Sequence, residues 1–393
     1  MNINPKLNSK YGCWVTDNKI FFSKFEALRH ASTVPNSSVY FYYHDHVWSN
    51  FDRSLLGKIP LTQLYKERAQ QLRDKYDHLV LHYSGGSDSH NILYTFVSNN
   101  IKLDEISVRW PKPLQDGKLY TPNTVDKSAR NAASEWDFAI KPALEWISKN
   151  RPEIKITVAN YANDLSDQET SVKHLESRLL SMNTSRGGLA MLSMWTDLDL
   201  ESNMVQNRSS NTAHIFGIDK PILTLKDNHI CIQFMDGVFE TANPPTNRLE
   251  EKVEIFYWSP DFPILPMEQA YQSALFLKSH KEAKELLGSS EGLTQEQILK
   301  KFDDQSNLQK SIIYKDSWNN NTFQVGKPNL LRSDWYFWLY ESSELAALKN
   351  GWIGAMRNLT EGINKKFLLN SDELNVQLLK PIRTKPFQIL NFN

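Results

Sequence analysis

The run Leu79-Val80-Leu81-His82-Tyr83-Ser84-Gly85-Gly86-Ser87-Asp88-Ser89-His90-Asn91-Ile92-Leu93 decides how this chain is read. It opens as a short apolar stretch with the length of a buried strand, breaks at Ser-Gly-Gly, and resumes with helical periodicity at about Asp88. Consecutive glycines let the backbone take dihedrals that a side chain would forbid, and they let peptide N–H groups approach an anion with no Cβ in the way. The free N–H groups and the positive dipole end of the following helix face the same point as the Ser84 and Ser89 hydroxyls. Each charge-assisted hydrogen bond contributes roughly 1.5–3 kcal/mol, so four or five outweigh a dipole contribution of about 0.3–1 kcal/mol. Direct donors should therefore set the affinity of this cup for a polyphosphate.

No Gly-Lys-Ser/Thr follows the glycines, so the loop lacks the lysine that a Walker-type site places on the outer phosphates. It carries an acid instead. Asp88 inside an anion cup clashes with phosphate unless a cation lies between them, which implies magnesium. A plain N-cap role for Ser87 or Asp88 explains one residue of the motif and leaves Gly85, Gly86 and the two outer serines idle.

Ser84-Gly85-Gly86-Ser87-Asp88-Ser89 resembles the S-G-G-x-D-S signature of the PP-loop (N-type) ATP pyrophosphatases. That superfamily, adenine nucleotide alpha hydrolase-like in fold, includes asparagine, argininosuccinate, GMP and NAD synthetases and several tRNA-modifying enzymes. Leu64 to Asp77 is similar to the helix that precedes the loop in asparagine-synthetase-like members. The resemblance covers the middle of the chain, and its specificity lies in the loop. It implies cleavage of ATP between the α and β phosphates, AMP passing to a substrate oxygen while pyrophosphate stays in the cup. ATP and Mg2+ are the implied cofactors, with Ser84, Gly85, Gly86, Ser87, Asp88 and Ser89 around the phosphates and Asp88 on the metal. In these families adenine lies beside the end of the second strand, which corresponds here to Val108, Arg109 and Trp110.

A second constellation, Phe216-Gly217-Ile218-Asp219-Lys220-Pro221, follows a strand-like segment and precedes a hairpin. A lysine facing the loop would stabilise charge that grows on departing pyrophosphate. Lys220 is the candidate, with Asp219 as a magnesium ligand or as an orienter of that lysine, and Gly217 beside the nucleotide. The same residues also make good turn chemistry for a solvated surface loop. Arg186 in Ser185-Arg186-Gly187-Gly188 suits phosphate or carboxylate, and equally a helix stop. His44 and His46, two apart after Ser38–Tyr43, would share a face if the strand continued, and they would suit a metal only with further ligands. Glu254, Tyr257, Trp258, Tyr314, Lys315 and Trp318 fit a lid over the site, although packing is the plainer role.

Around the loop, strand and helix alternate. Asp104–Trp110, Glu153–Val158 and His214–Gly217 read as strands, Ala129–Lys149 as an amphipathic helix that Pro142 kinks or splits, and Ser166–Ser181 as a further helix. This pattern predicts a doubly wound, Rossmann-like parallel sheet with ligands at the carboxyl ends of its strands. Residues 1–60 read as a small N-terminal α+β unit, with a hairpin turned at Asp17-Asn18, residues 61–242 as the nucleotide domain, and residues 243–393 as a mostly helical C-terminal domain. The hairpin at Ile222–Phe234 turns at Asp227-Asn228.

The 393 residues carry 45 basic and 45 acidic side chains, so no overall field draws in nucleic acid, and a tRNA or DNA acceptor would need a local basic groove or a partner subunit. A small-molecule acceptor is expected. Two cysteines, Cys13 and Cys231, form neither a disulfide framework nor a zinc ribbon and argue against persulfide chemistry. With no apolar leader and no long apolar run, a cytoplasmic protein without a membrane span is expected. Asn2 supplies no N-terminal nucleophile, so no glutaminase unit is expected, and nitrogen would come from a separate ammonia- or amine-supplying partner. A homo-oligomer is compatible with the composition. The expected activity is an ATP-dependent adenylating ligase, activating a carboxylate or amide oxygen for attack by nitrogen. The other readings are base modification of nucleic acid and non-catalytic nucleotide binding.

Overall fold

The computed structural model describes residues 11–109, 136–159, 211–238, 252–288, 295–319 and 382–392. The N-terminal hairpin pairs β1 (Cys13–Thr16) with β2 (Lys19–Phe21), and both turn residues, Asp17 and Asn18, have the positive φ that a tight two-residue hairpin requires. Helix α1 (Lys24–Thr33) starts at Ser23, whose hydroxyl accepts from the Glu26 N–H at 3.3 Å. Strand β3 (Tyr40–Tyr42) joins β1 to complete an antiparallel sheet of order β2-β1-β3, followed by the short α2 (Asp45–Ser49).

Helix α3 (Leu61–Lys75) buries Leu64, Tyr65, Arg68, Ala69 and Leu72, one helical stripe, and delivers the chain to β4 (His78–His82). Helix α4 (Ser87–Ser98), β5 (Glu105–Arg109), α5 (Lys141–Asn150) and β6 (Lys155–Ala159) follow. A single π-helical stretch, Trp136–Ile140, leads into α5, and Pro142 sits in the first turn of α5, where its missing N–H costs nothing. Then come β7 (Thr212–Phe216), the hairpin β8 (Ile222–Lys226) and β9 (His229–Gln233), and β10 (Lys252–Ile255). The remaining elements are α6 (Ile264–Ser279), α7 (Ala283–Leu287), α8 (Gln295–Ile313), α9 (Lys315–Asn319) and β11 (Phe387–Asn391).

The fold is mixed α/β, centred on a five-stranded parallel sheet of order β10-β7-β4-β5-β6. The chain runs outward through β4, β5 and β6, then returns to the other side of β4 for β7 and β10. All five carboxyl ends lie on one edge, and the segments leaving β4 and β7 emerge side by side where the order reverses. Two strands fall in the segment expected to be mostly helical: β10 belongs to the parallel sheet, and β11 pairs with β9 to make a three-stranded antiparallel sheet. At four residues, β10 is too short for periodicity to reveal between prolines.

The two faces of the parallel sheet differ. Leu79, Leu81, Ile106, Val108, Ala213 and Ile215 share one core cluster with the apolar stripes of α3, α4 and α5. The alternate positions carry His82, Glu105, Ser107, Thr157, Thr212 and His214 alongside the buried Val80 and Phe216, brought side by side by the register. Covered parallel sheets normally read as apolar on both faces. Here Glu105, Ser107, Thr212 and His214 are nonetheless buried. Glu105 is satisfied by Thr157 at 2.7 Å and by His78 and Lys155 at 3.6 and 3.5 Å.

Buried ion pairs tie these units together. Lys24 meets Asp236 at 2.9 Å with both side chains fully buried, and Arg68 on α3 meets Glu254 on β10 at 3.1 Å. Part of the aromatic content packs where the N-terminal sheet meets the hairpin: Trp48 and Phe234 lie 4.4 Å apart, with Tyr43, Trp14 and Trp258 around them. Among the described residues, no helix is long and apolar enough to cross a membrane.

Candidate functional site

The turn between β4 and α4 is held by its own serines. The Ser84 N–H donates to Ser89 Oγ at 3.2 Å, the Gly86 N–H to Ser84 Oγ at 3.3 Å, and Ser89 Oγ to the Gly86 carbonyl at 3.1 Å. Gly85 has φ of +75°, and a Cβ there would meet Ile140 Cγ1 at 2.7 Å, so both conformation and space demand glycine. Gly86 is the N-cap residue of α4 and has no side chain to offer, which leaves the N–H groups of Ser87, Asp88 and Ser89 without the usual capping acceptor. Ser84 is exposed, and Gly86, Ser87 and Asp88 are half-buried. Gly85 and Ser89, also expected around the phosphates, are buried, and the Ser89 hydroxyl is used within the turn, so the exposed group of the cup at the carboxyl edge of the sheet is Ser84.

The segment after β7 closes against it. A Cβ on Gly217 would lie 3.0 Å from Ser89 N and 3.1 Å from Asp88 C, tighter than ordinary contact, so the backbone here approaches the start of α4 more closely than a side chain comfortably allows. Three residues on, Lys220 Nζ reaches the Asp88 carboxylate at 2.8 Å (Oδ1) and 2.6 Å (Oδ2), and Asp219 Oδ1 at 3.2 Å. Asp219 Oδ1 also accepts from the Lys220 N–H at 2.7 Å. Burial works against the Lys220 charge, but the carboxylates of Asp88 and Asp219 outweigh it and hold its pKa above the ordinary lysine value. The three side chains sum to one negative charge. A bare phosphate would be repelled, whereas a divalent cation added to the cluster would invert its sign.

The segment expected to be either lid or packing supplies both. Tyr314, between α8 and α9, donates its hydroxyl to Asp88 Oδ1 at 2.6 Å, and Tyr257, just after β10, donates to the Asp88 carbonyl at 2.7 Å. Both rings are buried. Burial and the Asp88 carboxylate raise the Tyr314 pKa far above the ordinary tyrosine value, and burial with neighbouring Tyr65 does the same for Tyr257, so both phenols keep their protons and donate. Asn91, one turn along α4, donates to Tyr257 at 3.1 Å and accepts from Ser317 at 2.8 Å. No sequence spacing announces these partners, because the contacts span 166 and 226 residues. A second missed feature is the imidazole pair His82 and His214, ring nitrogens 2.8 Å apart, with His82 stacked on Phe216 at 4.2 Å on the polar face below the cup.

No family model, curated protein or solved structure matches this chain.

Of the other expected site residues, Val108 is fully buried in the core, so its side chain offers no surface to an adenine. Arg109 ends β5, and Trp110 lies outside the described residues, as do Arg186 and the segments Ser166–Ser181 and Trp335–Asn350. The strand expected to carry the histidine pair stops early. His44, with φ of 48°, is the N-cap of α2 and His46 lies in that helix, so the two do not alternate along a strand. Among the described residues, no group of three His, Cys, Asp or Glu side chains could hold a metal. Asp88 and Asp219 fit a different donor set, since magnesium is commonly bound by one or two carboxylates together with substrate phosphates and water. A cavity of about 580 Å³ lined by Trp136, Leu144, Ile156 and Val158 lies over β6, two strands from the loop, and shares no residue with it.

Proposed function

We propose that this chain is an ATP-dependent adenylating ligase of the PP-loop type, built on a doubly wound, Rossmann-like sheet. The sheet order supports the fold, because it reverses between β4 and β7 and open α/β sheets bind nucleotides at that crevice. One observation carries the function: Lys220, from the turn after β7, lies against Asp88 in the Ser-Gly-Gly turn after β4, so cation, carboxylates and uncapped N–H donors converge at the reversal.

The outer phosphates of ATP occupy the cup, accepting from the N–H groups of Ser87, Asp88 and Ser89 and from the Ser84 hydroxyl. Asp88 and Asp219 would hold magnesium, which supplies neutralisation of the pyrophosphate charge as the α–β bond breaks. Lys220 already carries its proton and lies within reach of that charge, so it stabilises the leaving group without a proton transfer. A substrate carboxylate or amide oxygen attacks the α phosphorus, and a nitrogen nucleophile displaces AMP from the activated oxygen. Positioning and electrostatics suffice, and no protein nucleophile is needed.

The test is incubation of the full chain with α-labelled ATP, magnesium and a panel of amino acids, nucleotides and tRNA. AMP and pyrophosphate should appear in equal amounts only with the right acceptor. ADP as the product would overturn the assignment, and so would undiminished turnover by Asp88→Asn.

A further inference from the structure

Asp88 receives more partners than a metal-ligating carboxylate needs, and their distribution between its two oxygens is uneven. Oδ1 accepts from both Lys220 Nζ at 2.8 Å and Tyr314 at 2.6 Å, whereas among the described residues Oδ2 accepts from Lys220 Nζ alone, at 2.6 Å. A carboxylate has about four lone-pair sites over its two oxygens. If Lys220 is drawn toward a polyphosphate, Oδ2 is left open while Oδ1 stays held by Tyr314. The tyrosine does not act in isolation. Tyr314 and Ser317, three residues apart, bond to Asp88 and Asn91, also three apart on one face of α4, so two side-chain bonds register the C-terminal segment on the first turn of the loop helix.

We propose that Tyr314 is a positioning residue for the divalent cation. Its hydroxyl holds the Asp88 carboxylate in the orientation that faces Lys220, so that Oδ2 is the ligating oxygen once nucleotide phosphates take the lysine. The proposal rests on the ATP reading above. It makes the segment at the α8–α9 junction, more than 200 residues downstream of the loop, part of the metal requirement of the site.

The experiment is calorimetric titration of ATP into the full chain at a series of Mn2+ concentrations, comparing wild type, Tyr314→Phe and Tyr65→Phe, with thermal melts of each. Tyr65 is the control for losing a buried hydroxyl in the same aromatic cluster. It bonds to the Ile313 carbonyl at 2.5 Å and to Gln269 at 3.0 Å, not to Asp88. Tyr314→Phe should need roughly tenfold more Mn2+ for half-maximal ATP binding, the worth of one hydrogen bond to a charged group, while Tyr65→Phe keeps the wild-type requirement. An unshifted Mn2+ midpoint in Tyr314→Phe, or an equal shift in Tyr65→Phe, overturns the positioning role and leaves the ATP reading standing. Failure of the wild type to bind ATP at any Mn2+ concentration overturns both. If Tyr314→Phe melts below the assay temperature, Ser317→Ala loosens the same clip without touching Asp88, and its midpoint should shift about twofold in the same direction. No shift there also overturns the proposal.

Discussion

Replacing Lys220 by Met removes the positive charge that contacts the Asp88 and Asp219 carboxylates while keeping most of the side-chain volume. Lys220 is 11 % exposed and the side chains of Asp88 and Asp219 are 20 % and 13 % exposed, between a surface pair and a buried one. Removing one partner costs about 3–5 kcal/mol for a buried pair, whereas an exposed pair contributes about 0–1 kcal/mol, so roughly 2–4 kcal/mol is expected here. For a chain of this size that lowers the melting temperature by about 2–5 °C at neutral pH. The pH dependence is the sharper check. In the wild type the folded lysine value lies above the ordinary 10.5, so its contribution is complete below that pH and disappears only as pH climbs past the folded value. In the variant the two acids face each other without the lysine, so the deficit should be smaller in acid than at about pH 7. Millimolar Mn2+ should restore part of the loss at pH 7. Differential scanning fluorimetry across this range decides the matter. A melting temperature unchanged by the substitution, or a deficit independent of both pH and Mn2+, would falsify the charge arrangement.

Gly217→Ala places a Cβ 3.0 Å from Ser89 N, with only backbone to give way, and should cost about 1–3 kcal/mol and abolish ATP binding, read by urea denaturation and calorimetry; full ATP affinity would refute the close packing. His90 is buried and its pKa is lowered to about 4, so the native chain loses stability as pH falls from 6.5 toward 4, by up to about 3 kcal/mol. His90→Gln should flatten that limb of the urea midpoint against pH, and parallel curves would show that His90 does not govern it. Burial raises the Asp45 carboxyl to about 6, so its stability contribution is present at low pH and lost as pH rises through that value. Asp45→Asn retains a carbonyl for the Tyr43 N–H and should stabilise the chain by about 1–2 kcal/mol at pH 8 and negligibly at pH 4.

What the sequence discloses follows the range of the interaction that carries it. Both hairpins are legible at Asp17-Asn18 and Asp227-Asn228, because a two-residue turn is a local decision by residues that tolerate positive φ. The strand–loop–helix at Leu79–Ser98 is equally local. The glycine at 217 is visible as a glycine, but the reason for it, contact with Ser89, belongs to the tertiary structure. The strand Lys252–Ile255 escapes notice because a fifth strand of a parallel sheet is chosen by its neighbour β7 and not by its own four residues. Tyr314 and Tyr257 look like core aromatics and are core aromatics. Only the direction of their hydroxyls makes them partners of Asp88.

The same division explains the electrostatics of the site. A Walker-type loop carries its lysine within the phosphate-binding turn, so one segment supplies donors and counter-charge together. Here the turn after β4 supplies donors and an acid, and the counter-charge comes from the turn after β7, 132 residues away in sequence. The two meet only because β7 returns to the side of β4 opposite β5, so the reversal in strand order is also what completes the charge balance of the loop. An unfolded or misregistered β7 would leave Asp88 facing the cup without a counter-ion, a state that repels phosphate. Nucleotide affinity in this chain should therefore follow the integrity of the β4–β7 pairing: variants that weaken β7 without touching either turn should lose ATP binding in proportion to their loss of stability.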